Sequence, residues 1–142
     1  MTTNDWDSSY GAGQRPPWDI GRPQPAFVQL AEGGAFTGRV LDAGCGTGEH
    51  ALLAAASGAD VTGVDVSASA IGQAKEKAAT RGLNVRFEVG DALNLGQLGA
   101  TFNASVDSGL FHVFDDDARV KYVASLASVI EPGGTCYLMC FS

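Results

Sequence analysis

The run Val40–His50, "VLDAGCGTGEH", places the carboxylate of Asp42 before three glycines, Gly44, Gly46 and Gly48, at every second position. The apolar residues before it are typical of a buried strand, and the residues after it have helical character. Glycine at such a junction allows a sharp turn and lets a ligand approach the backbone N–H groups without a Cβ in the way. We therefore expect this run to bind a ligand.

Phosphate-binding loops use the same geometry, but the neighbouring residues disfavour a phosphate. The dinucleotide-binding fingerprint has a small residue in its last glycine position. Counted from Gly44 and Gly46, that position holds Glu49. A carboxylate there would repel a pyrophosphate bound at the N-terminus of the helix. The Gly-Lys-Ser/Thr end of a P-loop does not follow these glycines either.

Strand-like and helix-like segments alternate along the rest of the chain. Strands are predicted in five runs, "RVLDAG", "VTGVDVS", "NVRFEVGD", "FNASVDSGLF" and "TCYLMCF". Helices are predicted from Pro25, over Glu49–Ser57, from a cap at Ser67 to Arg81, and from Asp115 with Val120, Val123, Leu126 and Ile130 on one face. This order predicts an α/β domain with a doubly wound, mostly parallel sheet of about five strands. Ligands of such sheets bind beyond the carboxyl ends of the strands.

The glycine run resembles the first signature motif of the class I S-adenosylmethionine-dependent methyltransferases, and the spacing from Pro25 to Ser142 is similar to that family's. The resemblance implies a Rossmann-like fold and S-adenosylmethionine as the cofactor. In that family the loop meets the amino-acid part of the cofactor, which carries an ammonium and a sulfonium. Asp42 would gain Coulomb energy beside such a cation.

The same resemblance implies roles for two later acidic residues. Asp65, at the end of the second strand, would accept hydrogen bonds from the ribose hydroxyls, and Asp91 and Ala92 would contact the adenine. The full set of predicted cofactor-binding residues is Asp42, Gly44, Cys45, Gly46, Thr47, Gly48, Asp65, Val66, Asp91, Ala92 and Asp107. Three alternatives stay open: Asp42 braces the loop, Asp65 starts a helix, and Cys45 packs as a small apolar side chain.

The run "DSGLFH" after the fourth strand lacks the Asn-Pro-Pro-aromatic element of adenine and glutamine N-methyltransferases. With "RPPWDIGRPQP" it resembles the family's small-molecule branch, which implies a thiol, a phenol or quinone, or a halide as methyl acceptor. His112 is the candidate base for a protonated acceptor. Trp6, Trp18 and Phe111 are candidate walls of the substrate pocket, with residues 1–24 as a lid over a domain at 25–142. Two alternatives stay open: backbone groups satisfy the hydrogen bonds of His112, and the three aromatic side chains seal the core instead of lining a pocket.

Composition limits the partners. The net charge of −7 disfavours nucleic acid and anionic membranes, which leaves a small-molecule substrate. Neither a signal peptide nor a long apolar run is evident, so we expect a cytoplasmic protein. The three cysteines lack the spacing of a metal site, and we expect none.

The family's last two strands do not follow the fifth predicted strand, so the domain is expected to be incomplete at its C-terminus. The fifth strand would then be an apolar edge that invites association with a second copy. The preferred function is methyl transfer from S-adenosylmethionine to a small-molecule nucleophile. The alternatives are a non-catalytic S-adenosylmethionine-binding fragment or subunit and an NAD(P)-dependent oxidoreductase.

Overall fold

A computed structural model describes residues 23–139. Its centre is a five-stranded parallel sheet in the order β3-β2-β1-β4-β5. The strands are β1 (Arg39–Ala43), β2 (Asp60–Asp65), β3 (Val85–Val89), β4 (Phe102–Ser108) and β5 (Ile130–Met139). The helices are α1 (Pro25–Glu32), α2 (Glu49–Ala56), α3 (Ala68–Arg81), α4 (Leu110–Val113) and α5 (Asp116–Ala127), with a 3-10 helix at Ala92–Leu98. The predicted α/β class and the parallel five-stranded sheet are confirmed.

Strand order reverses at β1, which pairs with β2 on one side and with β4 on the other. In open α/β sheets this reversal opens a crevice beyond the carboxyl ends of the strands. The loops after β1, β2 and β4 lie at that end. The predicted glycine run is therefore at the position where such sheets bind ligands.

Two apolar layers cover the sheet. On one face the buried cluster includes Phe27, Leu52, Ile71 and Phe87, from α1, α2, α3 and β3. On the other face Leu41, Leu95, Phe102 and Tyr122 bring the 3-10 helix and α5 against β1 and β4. Each strand of a doubly wound sheet has to be covered on both faces, which explains the continuous apolar runs in the sequence.

Side chains that accept hydrogen bonds from the first turn mark the starts of two helices, α3 and α5. The Oγ of Ser67 accepts a hydrogen bond of 3.1 Å from the N–H of Ala70, and α3 ends at Gly82 with φ +65°. The Oδ1 of Asp115 accepts one of 2.8 Å from the N–H of Ala118 at the start of α5. Side-chain acceptors of this kind satisfy N–H groups that the first turn leaves unpaired. The predicted limits of α3 and the predicted start of α5 are confirmed.

The predicted buried face of α5 is wrong at Val120 and Val123, whereas Leu126 and Ile130 are partly buried against the Tyr122 cluster as predicted. Val120 and Val123 are 71% and 56% exposed, and the helix buries Tyr122 and Ser125 instead. Both buried residues have polar partners, because the Tyr122 hydroxyl donates to Asp107 and the Ser125 hydroxyl accepts from the N–H of Leu95. Those partners come from other elements, and apolar periodicity alone does not reveal them.

The end of α5 and the start of β5 also differ from the prediction. The helix ends at Ala127, and Ile130 already pairs with Phe102 in the sheet. Regular pairing with β4 resumes at Thr135, after a bulge in β5. The helix α4 and the 3-10 helix were not predicted, since both are too short to show a periodic pattern.

Within residues 23–139 no helix is long and apolar enough to cross a membrane. Among the same residues, no cluster of three or more His, Cys, Asp or Glu side chains could hold a metal ion. Trp6, Trp18 and the segment predicted as a lid, up to residue 22, lie outside the described residues.

Candidate functional site

The glycine loop between β1 and α2 has a positive φ at each predicted glycine: +70° at Gly44, +56° at Gly46 and +92° at Gly48. Side chains other than glycine rarely adopt this backbone conformation. A Cβ on Gly44 would lie 2.7 Å from Leu110, and one on Gly48 would lie 2.9 Å from Ala74 and from the Phe87 ring. Packing as well as the turn therefore requires glycine at position 48, whereas a Cβ on Gly44 would displace the Leu110 side chain.

Asp65 connects the end of β2 to this loop. Its Oδ2 accepts a hydrogen bond of 2.9 Å from the N–H of Gly46, and its Oδ1 accepts one of 2.9 Å from the N–H of Ser67. The N–H of Cys45 donates to the carbonyl of Val64 at 2.8 Å, which also holds the loop against β2. Asp65 is partly exposed, so its carboxylate remains accessible to a ligand while it fixes the loop. Its predicted role at the ribose stays a prediction.

Asp42 is buried at the end of β1, with 2% of its surface exposed. Its Oδ2 has no hydrogen-bond partner among residues 23–139. Burial raises the pKa of Asp42 well above its usual value, and the nearby charges of Asp107 and Asp65 raise it further. A buried carboxylate oxygen without a donor is unfavourable, and a cationic ligand would relieve it.

Asp107, at the end of β4, is bound on every side by the protein. Its carboxylate accepts hydrogen bonds from the N–H of Leu110 at 2.6 Å, the N–H of Phe111 at 3.0 Å and the Tyr122 hydroxyl at 2.8 Å. Burial raises the pKa of Asp107, and these donors offset only part of that rise. The contacts give Asp107 a structural role, because it binds the first two N–H groups of α4. Its predicted contact with the cofactor stays a prediction.

The predicted adenine end lies at the loop after β3. Asp91 is exposed and its Oδ1 accepts a hydrogen bond of 2.8 Å from the N–H of Leu93, whereas Ala92 is buried. A cleft of about 170 Å³ lies beside this loop and contains only Asp91 of the predicted site residues. Its lining residues are Val64, Glu88, Val89, Gly90, Asp91, Asn94, Leu95, Gln97 and Leu98. Val66, directly after Asp65, is partly exposed at the neighbouring strand end.

The predicted substrate end lies at α4. Phe111 is partly exposed, and the Arg119 guanidinium stacks 4.9 Å from the centre of its ring. Phe114 meets Tyr122 edge to face, with 5.3 Å between ring centres. The backbone of His112 belongs to α4, and its role as a base stays a prediction. The aromatic residues thus pack together beside Arg119, whose Nε also donates to the Phe111 carbonyl at 3.1 Å and whose guanidinium lies 4.0 Å from the Asp116 carboxylate.

Cys45 is 7% exposed, and burial together with the charges of Asp42 and Asp65 raises the pKa of its thiol well above the usual value. A thiol with a raised pKa is a poor nucleophile. These surroundings favour the packing role over a chemical one.

Sequence reasoning missed an ion-pair cluster behind the loop. Glu49 is 5% exposed, and its carboxylate binds Lys77 at 2.7 Å and both terminal nitrogens of Arg81 at 3.1 Å. Burial alone would raise the pKa of Glu49, but these hydrogen bonds hold it below the usual value. The available signal was the four-residue spacing of Lys77 and Arg81, which places them on one face of α3. Because two cations neutralise Glu49, its charge no longer argues against a bound phosphate.

Comparison with known proteins identifies the family. Residues 40–134, which include the loops after β1, β2, β3 and β4, match a family described as "Methyltransferase domain". The chain belongs to this methyltransferase family. The match confirms the resemblance stated from the glycine run and favours the methyltransferase over the oxidoreductase alternative.

Individual relatives agree with the family. The chain is 41% identical over 128 residues to the "2-heptyl-1-hydroxyquinolin-4(1H)-one methyltransferase" of Mycobacteroides abscessus, covering 89% of this chain and 56% of the relative. It is 28% identical to "Probable thiol methyltransferase 2" of Arabidopsis thaliana, covering 99% of this chain and 62% of that protein. A structure solved in work on the conversion of a disulfide bond into a thioacetal group during echinomycin biosynthesis superimposes with a TM-score of 0.91 at 45% identity. That match covers 96% of this chain and 60% of the solved one. The chain thus spans about three fifths of the length of these relatives.

Proposed function

We propose that the glycine loop binds S-adenosylmethionine and that the protein transfers the cofactor's methyl group to an oxygen or sulfur nucleophile of a small molecule. The observation that carries this proposal is Asp42. Its buried Oδ2 lacks a hydrogen-bond partner within the described part of the chain, at the strand end where sheets of this class bind ligands. A cation would supply the missing donor and neutralise the charge.

The residues at this strand end fit the cofactor. Asp42, Asp65 and Asp107 place three carboxylates near one another, and the charges of Asp107 and Asp65 both raise the pKa of Asp42. Such a site favours the ammonium and sulfonium of S-adenosylmethionine over an anion. The amino-acid part of the cofactor would contact the loop backbone at Gly44, Gly46 and Thr47.

Asp65 would bind the ribose, and its partly exposed carboxylate beside the loop that it anchors supports this role. Val66, Asp91 and Ala92 would surround the adenine. When bound, the cofactor supplies a methyl group on a sulfonium, for which the thioether is the leaving group. The protein then has to hold the acceptor in line with that methyl group and keep water out.

The proposed acceptor class rests on the substrate end and on the relatives. Phe111 and the Arg119 guanidinium over its ring form an apolar wall with a positive charge, which suits an aromatic or sulfur-containing nucleophile that ionises. One relative is named for a hydroxyquinolone and another for a thiol. His112 as a base and Trp6 and Trp18 as further walls belong to the same proposal. So do a cytoplasmic location and self-association along β5, which rest on the sequence alone.

Calorimetric titration of the chain with S-adenosylmethionine, S-adenosylhomocysteine and NADH tests the cofactor. We expect both adenosyl ligands to bind and NADH to give no heat. A folded chain that binds neither adenosyl ligand would contradict the proposal.

Methyl transfer is then measured by mass spectrometry with a panel of heteroaromatic hydroxyl compounds and thiols. Asp42→Asn is the matched variant, because it removes the charge and preserves the shape. We expect methylated product with the wild type and much less with the variant at the same cofactor concentration. Cofactor binding without transfer to any acceptor would favour the non-catalytic alternative.

A further inference from the structure

The ion-pair cluster behind the glycine loop has no part in the proposed chemistry, yet it contacts the loop directly. Resting on the proposed cofactor site, we propose that Lys77 is a positioning residue that holds the loop in its cofactor-binding conformation through Thr47. Glu49 and Arg81 in turn hold the Lys77 ammonium in place.

Lys77 reaches from α3 to two residues at the end of the loop. Its Nζ donates to the Thr47 Oγ1 at 2.9 Å and to the Glu49 Oε2 at 2.7 Å. Thr47 is 6% exposed and stands between Gly46 and Gly48, at the turn into α2. One ammonium therefore fixes both the last turn of the loop and the first residue of the helix.

Arg81 completes the cluster one helical turn further along α3. Its two terminal nitrogens bind the two carboxylate oxygens of Glu49, each at 3.1 Å. Such a paired contact fixes the orientation of the carboxylate as well as its distance. Glu49 is thereby held so that one of its oxygens stays within reach of the Lys77 ammonium.

Asp65 holds the adjacent loop residue from the end of the neighbouring strand β2. It accepts the N–H of Gly46 at 2.9 Å, while Lys77 holds the neighbouring Thr47 at 2.9 Å. Two successive residues of the loop are thus fixed by two charged side chains from two elements. The loop has three glycines with positive φ, and glycine loses more conformational freedom on ordering than any other residue. Fixing the loop in advance lowers the entropy cost of binding a ligand there.

Stability alone gives a weak reason for this cluster. Buried ion pairs contribute little to stability compared with well-packed apolar side chains of similar size. The Lys77 and Arg81 side chains are also 28% and 44% exposed, which weakens their attraction to Glu49 further. A positioning role explains why charged groups are placed behind the loop instead of apolar ones.

The first test compares Lys77→Met with Lys75→Met, since Lys75 lies on the exposed side of the same helix and its loss removes the same charge. We expect Lys77→Met to weaken S-adenosylmethionine binding in calorimetry about tenfold, equivalent to about 1.4 kcal/mol. Lys75→Met should leave the affinity within about twofold, and Lys77→Arg should recover most of the loss. Equal affinities for the two methionine variants would overturn the inference. If the wild type itself fails to bind the cofactor, the proposed function falls instead.

A second test separates positioning from general destabilisation. Amide hydrogen exchange of the unliganded protein should speed up at Gly46, Thr47 and Gly48 in Lys77→Met and remain unchanged in β1. Thr47→Val removes the oxygen that accepts from Lys77 and leaves the Glu49 contacts intact. The double variant should bind the cofactor about as weakly as Lys77→Met alone, because both changes break one interaction. Independent, multiplying effects of the two changes would overturn the inference, and Thr47→Val alone supplies the test if Lys77→Met fails to fold.

Discussion

Replacing Asp42 by asparagine should make the protein more stable and bind its cofactor less well. The side chain is 2% exposed, and its Oδ2 is without a hydrogen-bond partner in the described range 23–139. Burial and the charges of Asp107 and Asp65 raise its pKa. Once ionised, the side chain is an unfavourable buried charge, and asparagine removes that charge without changing the shape.

The size of both effects follows from these surroundings. Each pKa unit by which folding raises a carboxyl costs about 1.4 kcal/mol of stability once the pH is above the raised pKa. A gain of about 2 kcal/mol would raise the melting temperature of a domain of this size by roughly 6–8 °C. A hydrogen bond between charged groups contributes about 1.5–3 kcal/mol, so affinity for S-adenosylmethionine should fall about 10- to 150-fold.

The pH dependence supplies an internal control. A carboxyl whose pKa is higher in the folded than in the unfolded state destabilises the fold at high pH; this penalty decreases once the pH is below the raised pKa and is gone below the ordinary pKa. The stability difference between Asp42→Asn and the wild type should therefore be largest at pH 8 and vanish near pH 4, close to the ordinary pKa of 3.8. Urea unfolding across this range measures it. A variant that is less stable than the wild type at pH 8, or that binds the cofactor equally well, would refute the reasoning.

Three further predictions concern the supports of the site. Gly48→Ala should destabilise the fold by about 2–4 kcal/mol because its Cβ clashes and its φ is +92°. Gly58 has a φ of +99° but open space where a Cβ would lie, so Gly58→Ala should lose only the stability that the strained backbone costs. Equal losses for Gly48→Ala and Gly58→Ala in thermal melts would contradict the packing argument. Tyr122→Phe removes a donor at 2.8 Å from Asp107, so urea unfolding should show a loss of about 1–3 kcal/mol. Glu49 has a lowered pKa, so it stabilises the fold above about pH 4.5 and this contribution fades below that pH. Because both cations are partly exposed, Glu49→Gln should lose about 1–2 kcal/mol at pH 7, and the variant's stability should fall less in acid than the stability of the wild type.

Local signals in the sequence were sufficient for most of the fold. The glycines at positive φ, the Ser67 cap and the Gly82 stop each act within a few residues, so their residue types reveal them. The order of strands and helices then limits the sheet to a few topologies. This order also predicted that the site lies at the carboxyl end of the sheet.

Contacts between distant residues could not be predicted in the same way. Tyr122 and Ser125 replace the valines on the buried face of α5, because Asp107 and the N–H of Leu95 supply their partners. The cluster of Glu49 with Lys77 joins residues 28 positions apart in the chain. Pairings of this kind depend on which helix faces which loop, and that is decided only by the folded structure.

The double contact of Asp65 has a consequence for protein engineering. Its two oxygens hold the N–H groups of Gly46 and Ser67. A designer who replaced Asp65 to accept a cofactor with a modified ribose would also release the loop and the start of α3. Such a redesign would have to include a new acceptor for the Gly46 N–H. Any change to this proposed ribose residue would therefore require a matching change in the loop.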